Sequence, residues 1–335
     1  MKIKKTHLYF GIIIVVILLV ATGFYLSHFL KQSQETKQTT EKGSLKEEYR
    51  NPSKVDKNGY LSYPLDRGDV RFSRQDYGTE GNLTIHKMIY QSKYGNIYGL
   101  LVLPTTALEL LPGVVLLPGA GVSKESELEL AKKIALLDAA VLVIDQRGVG
   151  ETDGIVPDLD EDYASFVEGK EPVQHLMAYD ALRAYDLLKS APFTDSDRII
   201  IAGESLGGRI AVIAAAIDRN IKGVLLISSA GFDFKGGPDE NKNRFLKSID
   251  SDHYIGLITP RKLVMMHNVN DKVIPLSSAI NSFSKIQEPK KFVLVNDTSC
   301  NHGYCESMYP GLVDALDYIV EIRSRTLFTM PNKVN

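Results

Sequence analysis

Residues 198–208 read Arg198-Ile199-Ile200-Ile201-Ala202-Gly203-Glu204-Ser205-Leu206-Gly207-Gly208, and the rest of the chain is best read outward from them. Ile199 to Ala202 are apolar without alternation, the pattern of a short strand buried on both faces. Leu206–Ile217 reads as a small-residue helix. Between strand and helix stands a G-x-S-x-G. A strand that turns abruptly into a helix forces its corner residue into a strained backbone conformation, and glycines two before and two after make the corner sterically possible. Ser205 is that corner, flanked by Gly203 and Gly207. Its side chain is expected to stand exposed, with the Leu206 N–H aimed at the same spot from the helix N-terminus.

The same short apolar strands recur on either side. Leu83–Gln91 and Ile97–Leu103 predict an antiparallel hairpin about a Lys93–Asn96 turn. Gly113–Leu117, Ala140–Ile144, Val224–Ile227, Lys262–Met266 and Lys291–Val295 predict further strands. Helices are expected over 126–137, 173–188 and 277–287, and a last one from Pro310, a residue suited to a first turn. Residues 149–171 and 231–257 read as loop-like interruptions. Strands of about five residues alternating with helices require a mostly parallel sheet covered on both faces. The fold class is therefore α/β and doubly wound, opening with an antiparallel hairpin. In such sheets reactive residues collect at the carboxyl ends of strands.

A serine hydroxyl needs a base to take its proton. The chain has seven histidines, and His302, in a loop after the last sheet strand, is the one placed to reach Ser205. A carboxylate must orient that imidazole. Asp271 follows the 262–266 strand and completes the chain order Ser, Asp, His, while Asp297 also ends a strand and competes. The turn Pro118-Gly119-Ala120-Gly121 after the 113–117 strand offers a second oxyanion donor, the N–H of Ala120 or of Gly121, beside that of Leu206.

With Gly203–Gly208, Asp271, His302, the Leu103-Pro104 hairpin end and the Asp145–Gly150 turn in place, residues 83–322 resemble the serine α/β-hydrolase superfamily. The likeness is to its dienelactone-hydrolase, acetyl-esterase and prolyl-oligopeptidase-like branch. It implies an ester hydrolase working through an acyl-enzyme on Ser205, with no cofactor and no metal. A peptidase of the prolyl-oligopeptidase-like type is the alternative enzyme, and a catalytically silent binding protein on the same fold is the alternative outside enzymes. The expected substrate is a small-molecule or short-peptide acyl compound. A dinucleotide site at Gly119-Ala120-Gly121 fails because Lys124 stands where a third small residue is needed.

Cys300 and Cys305 bracket His302; they are too few for a metal cluster, and an oxidising compartment would allow them to pair. Residues 231–257 are expected to form a short cap, with Phe232, Phe234 and Phe245 available to line an acyl site.

Residues 8–30 carry no formal charge, and as a helix they would be roughly 34 Å long at about 1.5 Å per residue, enough to cross a bilayer. Lys2, Lys4 and Lys5 in the basic tail 1–7 orient this span with the N-terminus inside. A cleaved signal peptide is the rival, and it would leave a secreted body. Either way residues 59–335, joined by a polar linker over 31–58, are expected outside the cytoplasm, tethered to the cell membrane if the span is kept. Of 335 residues, 39 are Lys or Arg and 41 Asp or Glu, for a net charge of −2 with no long run of one sign. That balance removes the electrostatic case for a nucleic-acid binder.

Overall fold

The structure is a computed structural model that describes residues 52–106 and 109–322. The proposed span 8–30 and most of the linker lie outside the described residues. Among those described, no helix is long and apolar enough to cross a membrane.

The first described strand falls within the stretch assigned to the linker. β1 (Lys54–Val55) pairs antiparallel with β2 (Leu61–Ser62). The strands that follow are β3 (Phe72–Glu80), β4 (Leu83–Ser92), β5 (Gly95–Pro104), β6 (Leu111–Leu117), β7 (Ala140–Ile144), β8 (Thr194–Glu204), β9 (Gly223–Ile227), β10 (Lys262–Asn268) and β11 (Lys290–Val295). They form a nine-stranded sheet in the order β11-β10-β9-β8-β6-β7-β5-β4-β3. β6 to β11 run parallel to one another, and β3, β4 and β5 are mutually antiparallel. β5 joins the two parts by an antiparallel pairing with β7.

Helices are α1 (Leu128–Ala135), α2 (Leu159–Val167), α3 (Val173–Ser190), α4 (Leu206–Ile217), α5 (Glu240–Ile249), α6 (Ser251–Tyr254), α7 (Leu276–Ser284) and α8 (Tyr309–Val320). The burial of β8 explains the unbroken apolar run of its sequence. Ile199 and Ile201 face a core built with α3 and α4, whereas Ile200 and Ala202 face a second core built with α1 and α8. Side chains alternate across the sheet, so a strand with a core on each face must be apolar at every position. β7 and β9 are buried throughout for the same reason.

Two expectations are corrected. The antiparallel entry has three strands, because β3 precedes the hairpin; its residues are almost all exposed, so no apolar pattern announces it. Residues 149–171 contain α2, started by Asp158, whose carboxylate accepts the N–H groups of Asp160 and Glu161. The 231–257 segment likewise folds into α5, α6 and a 3₁₀ turn at Ile255–Ile258.

The chain leaves β6 toward β7 on one side and returns to β8 on the other. Strand order thus reverses between β6 and β8, and the crevice beyond their carboxyl ends is where such sheets hold ligands. Leu117 of β6 lies in register with Gly203 of β8.

Candidate active site

The corner between β8 and α4 is as tight as its glycines suggest. A Cβ on Gly203 would come within 2.4 Å of the Gly207 backbone, and one on Gly207 within 2.1 Å of the Leu117 carbonyl oxygen. Ser205 sits at φ 48°, ψ −115°, a sparsely populated backbone state for a residue with a side chain. Hydrogen bonds on both sides hold it there. Its N–H donates to the Ile227 carbonyl at 3.0 Å, and its own carbonyl accepts from Ser229 Oγ at 2.8 Å. Leu206 opens α4, so its N–H has no acceptor within the helix.

Asp271 lies in the loop after β10 with its side chain buried. Its Oδ1 accepts the N–H of Val273 at 2.9 Å and of Ile274 at 2.8 Å, and Oδ2 is 2.9 Å from Nδ1 of His302. Burial alone would raise this carboxyl, but the Ile274 N–H, the His302 ring and the Val273 N–H outweigh it and hold Asp271 ionised below its ordinary range. The competing Asp297 instead accepts the N–H and hydroxyl of Ser299. His267, at the end of β10, is a second imidazole beside the acid. Its Nε2 lies 3.0 Å from the Ile274 carbonyl and 4.0 Å from Asp271 Oδ2, and burial depresses its basicity.

The loop that carries His302 is fastened to the nucleophile corner. The Tyr304 N–H donates to Oε1 of Glu204 at 2.6 Å, and Ser228 Oγ donates to the Gly303 carbonyl at 3.2 Å. Cys300 and Cys305 are joined as a disulfide across that loop. Glu204 is the residue before Ser205, so the imidazole loop and the serine share one anchor. Glu127, the residue before α1, packs its carboxyl against Glu204. Burial and the Glu204 charge push Glu127 up to about 9, and burial also raises Glu204. Neither acid was singled out from sequence.

Ala120 and Leu206, the two proposed oxyanion donors, line one cavity of about 260 Å³ together with Gly119, Gln146, Arg209 and Phe232. The turns that supply these residues explain two sequence features. Asp145, ending β7, accepts the N–H of Lys124 at 2.7 Å and its Nζ at 2.7 Å, so the lysine that breaks the dinucleotide pattern is half of a buried ion pair. Arg147 is bound through Nε to Asp180 at 2.7 Å and through Nη2 to the Lys93 carbonyl, which fixes the turn bearing Gln146.

Of the three aromatics assigned to a cap, Phe232 lines the cavity, but Phe245 does not. Phe245 is fully buried and packs on Tyr163, Phe166 and His175, joining α5 to α2 and α3. His175 itself bonds to Ser248 and stays neutral, depressed to about 3 by burial and by Lys93. Arg209 was not anticipated. It stands in the first turn of α4, just past the corner that carries Ser205, and nothing in its sequence position sets it apart.

Residues 65–236 match the sequence profile of the acetyl xylan esterase (AXE1) family, about half of the chain. That stretch contains Ser205, Ala120 and Leu206 and stops before Asp271 and His302. The chain is 27% identical over 170 residues to YfhR, an uncharacterised protein of Escherichia coli O157:H7, covering 47% of this chain. It spans 60% of the length of that curated relative. The fold is shared with an acetyl xylan esterase from Paenibacillus sp. R4 at TM-score 0.62 and 21% identity, over 75% of this chain and 88% of that one. It is shared as well with acetyl xylan esterase 1 from Thermoanaerobacterium sp. JW/SL YS485 at TM-score 0.62 and 15% identity, over 76% and 89%. A third neighbour, Est1E from Butyrivibrio proteoclasticus with bound ferulic acid, has TM-score 0.53 and 18% identity, over 69% and 96%.

Proposed function

Since this chain belongs to the acetyl xylan esterase (AXE1) family, we propose that it is a carboxylic-ester hydrolase in which Ser205, His302 and Asp271 act as a triad. The observation that carries this reading is the bond between His302 Nδ1 and Asp271 Oδ2 at 2.9 Å. A carboxylate on Nδ1 keeps the proton there and leaves Nε2 as a base. Ser205 Oγ attacks the ester carbonyl carbon while His302 Nε2 takes its proton. His302 then returns that proton to the departing alkoxide, and the acyl group stays on Ser205. Water, deprotonated by the same nitrogen, hydrolyses the acyl-enzyme. The N–H groups of Ala120 and Leu206 hold the oxyanion. One such donor contributes about 2.7–4 kcal/mol in other hydrolases. A small acyl group such as acetyl suits the modest cavity.

Labelling with a fluorophosphonate probe and mapping the adduct tests the assignment. Ser205 is expected to carry the probe, and Ser205→Ala and His302→Ala to lose it along with turnover of acetyl esters. An adduct on another serine, or full turnover by Ser205→Ala, would sink it. Labelling also separates the enzyme from a silent binding protein.

Residues 8–30 are proposed to hold this domain at the outer side of the cell membrane. Their hydropathy supports this, and so does the Cys300–Cys305 pairing, since disulfides persist in oxidising compartments. Full-length protein is expected in the membrane fraction after carbonate washing, with the domain open to protease added to spheroplasts. Recovery in the soluble cytosol would refute the tether.

A further inference from the structure

The candidate cavity is lined by a cation, Arg209, that has no hydrogen-bond or ion-pair partner among the described residues. Arg209 lies one turn into α4 from Ser205 and lines the same cavity as Ala120 and Leu206. Its Nη1 is buried and makes no hydrogen bond among the described residues. A buried guanidinium in a folded protein is ordinarily paired, because its five donors lose water on burial. The other arginine on this cavity, Arg147, is paired with Asp180. The carboxylate nearest in charge to Arg209 is Asp250, and Asp250 is occupied elsewhere. Its Oδ1 accepts the N–H of Phe232 at 2.9 Å and of Asp252 at 3.1 Å. Burial lowers Arg209 to about 10, partly offset by Asp250, so it stays protonated at neutral pH.

The guanidinium is also held in place. The Phe232 ring stacks on it at 4.2 Å from its centroid, and Phe232 is itself tethered through the backbone bond to Asp250. Stacking fixes the plane of the fork and leaves its edge for a ligand. Gln146, also on the cavity wall, donates its Nε2 to the Pro118 carbonyl and so offers no donor there that competes with Arg209. A preorganised guanidinium that makes no hydrogen bond among the described residues, on the same cavity as the proposed oxyanion donors, describes a receptor for an anionic group.

We propose that Arg209 is a specificity residue that binds a carboxylate carried by the ester substrate, within a few bonds of the reacting carbonyl. The proposal rests on Ser205 being the nucleophile. The carboxylate sits on the acyl side, as in a hemisuccinyl ester, or on the alcohol side, as in the acetyl ester of 3-hydroxypropanoate. In the first case the succinyl group passes to Ser205 and water releases succinate; in the second acetate is released and the hydroxy acid leaves first.

The test compares each of these two esters with its methyl-capped neutral counterpart, using purified full-length enzyme in detergent. At least one anionic ester is expected to exceed its neutral counterpart by tenfold or more in kcat/KM, and the arm that does so identifies the side. Arg209→Met is expected to bring that ratio to about one, and Arg209→Lys to retain part of it. A ratio at or below one for both pairs in the wild type overturns the proposal without any variant. So does a ratio that survives in folded Arg209→Met. Ser205-dependent turnover of plain acetyl esters with no anionic preference strikes only Arg209. No turnover of any ester, together with no probe on Ser205, overturns the catalytic reading as well.

Discussion

At the scale of single residues, the consequence of the Asp271–His302 contact is a tautomer rather than an energy. Asp271 Oδ1 accepts the N–H groups of Val273 and Ile274, and both carboxylate oxygens stand within 3.0 Å of Nδ1 of His302. An asparagine there can still accept those two backbone bonds, but its amide would offer a donor to Nδ1. The imidazole would then carry its proton on Nε2, where it cannot accept one from Ser205. Asp271→Asn is therefore expected to lower kcat for acetyl esters by roughly 10³–10⁴-fold, with slower fluorophosphonate labelling. A loss smaller than tenfold would remove Asp271 from the mechanism. Ser205, Asp271 and His302 are legible in the sequence as a proposed triad because each stands just past a strand in an order chemistry recognises. Arg209 and Glu127 are not, because their significance lies in which groups do and do not touch them.

At the scale of elements, legibility followed burial. β7 and β9 are apolar at every position because both of their faces are covered, and such runs stand out in any sequence. α8 was legible through its stripe of Leu312, Leu316 and Ile319, all buried, with Pro310 in the first turn. β3 stayed hidden for the opposite reason. It is an edge strand held by backbone bonds to β4, and Arg74, Gln75 and Asp76 along it are exposed. Edge strands place charge outward to discourage further pairing, which erases the alternation that would reveal them. α2 carries three acidic residues in its first turn, where they suit a helix N-terminus but read locally as a polar loop. The 231–257 segment shows how far composition misleads. Its Gly, Asp and Lys conceal α5, which meets the body through Phe245 on the aromatic group of Tyr163, Phe166 and His175. Only tertiary contacts give that helix its place, so periodicity alone had little to report.

At the scale of the whole molecule, the Glu127–Glu204 pair couples global stability to pH. The folded chain keeps a proton on Glu127 up to about pH 9, whereas the unfolded chain releases it near the ordinary value of 4.5. Between those values the folded state binds one more proton than the unfolded, so this pair makes stability fall as pH rises, by at most about 1.4 kcal/mol per pH unit. Asp271 works in the other direction, since its depressed value contributes stability that disappears on acidification. The measurement must therefore be a difference. Glu127→Gln leaves a neutral group in both states and removes only the Glu127 contribution. Urea unfolding of wild type and variant is expected to give similar midpoints near pH 5, with the variant increasingly the more stable toward pH 9. Parallel curves across that range would mean that Glu127 is already ionised in the fold at pH 5.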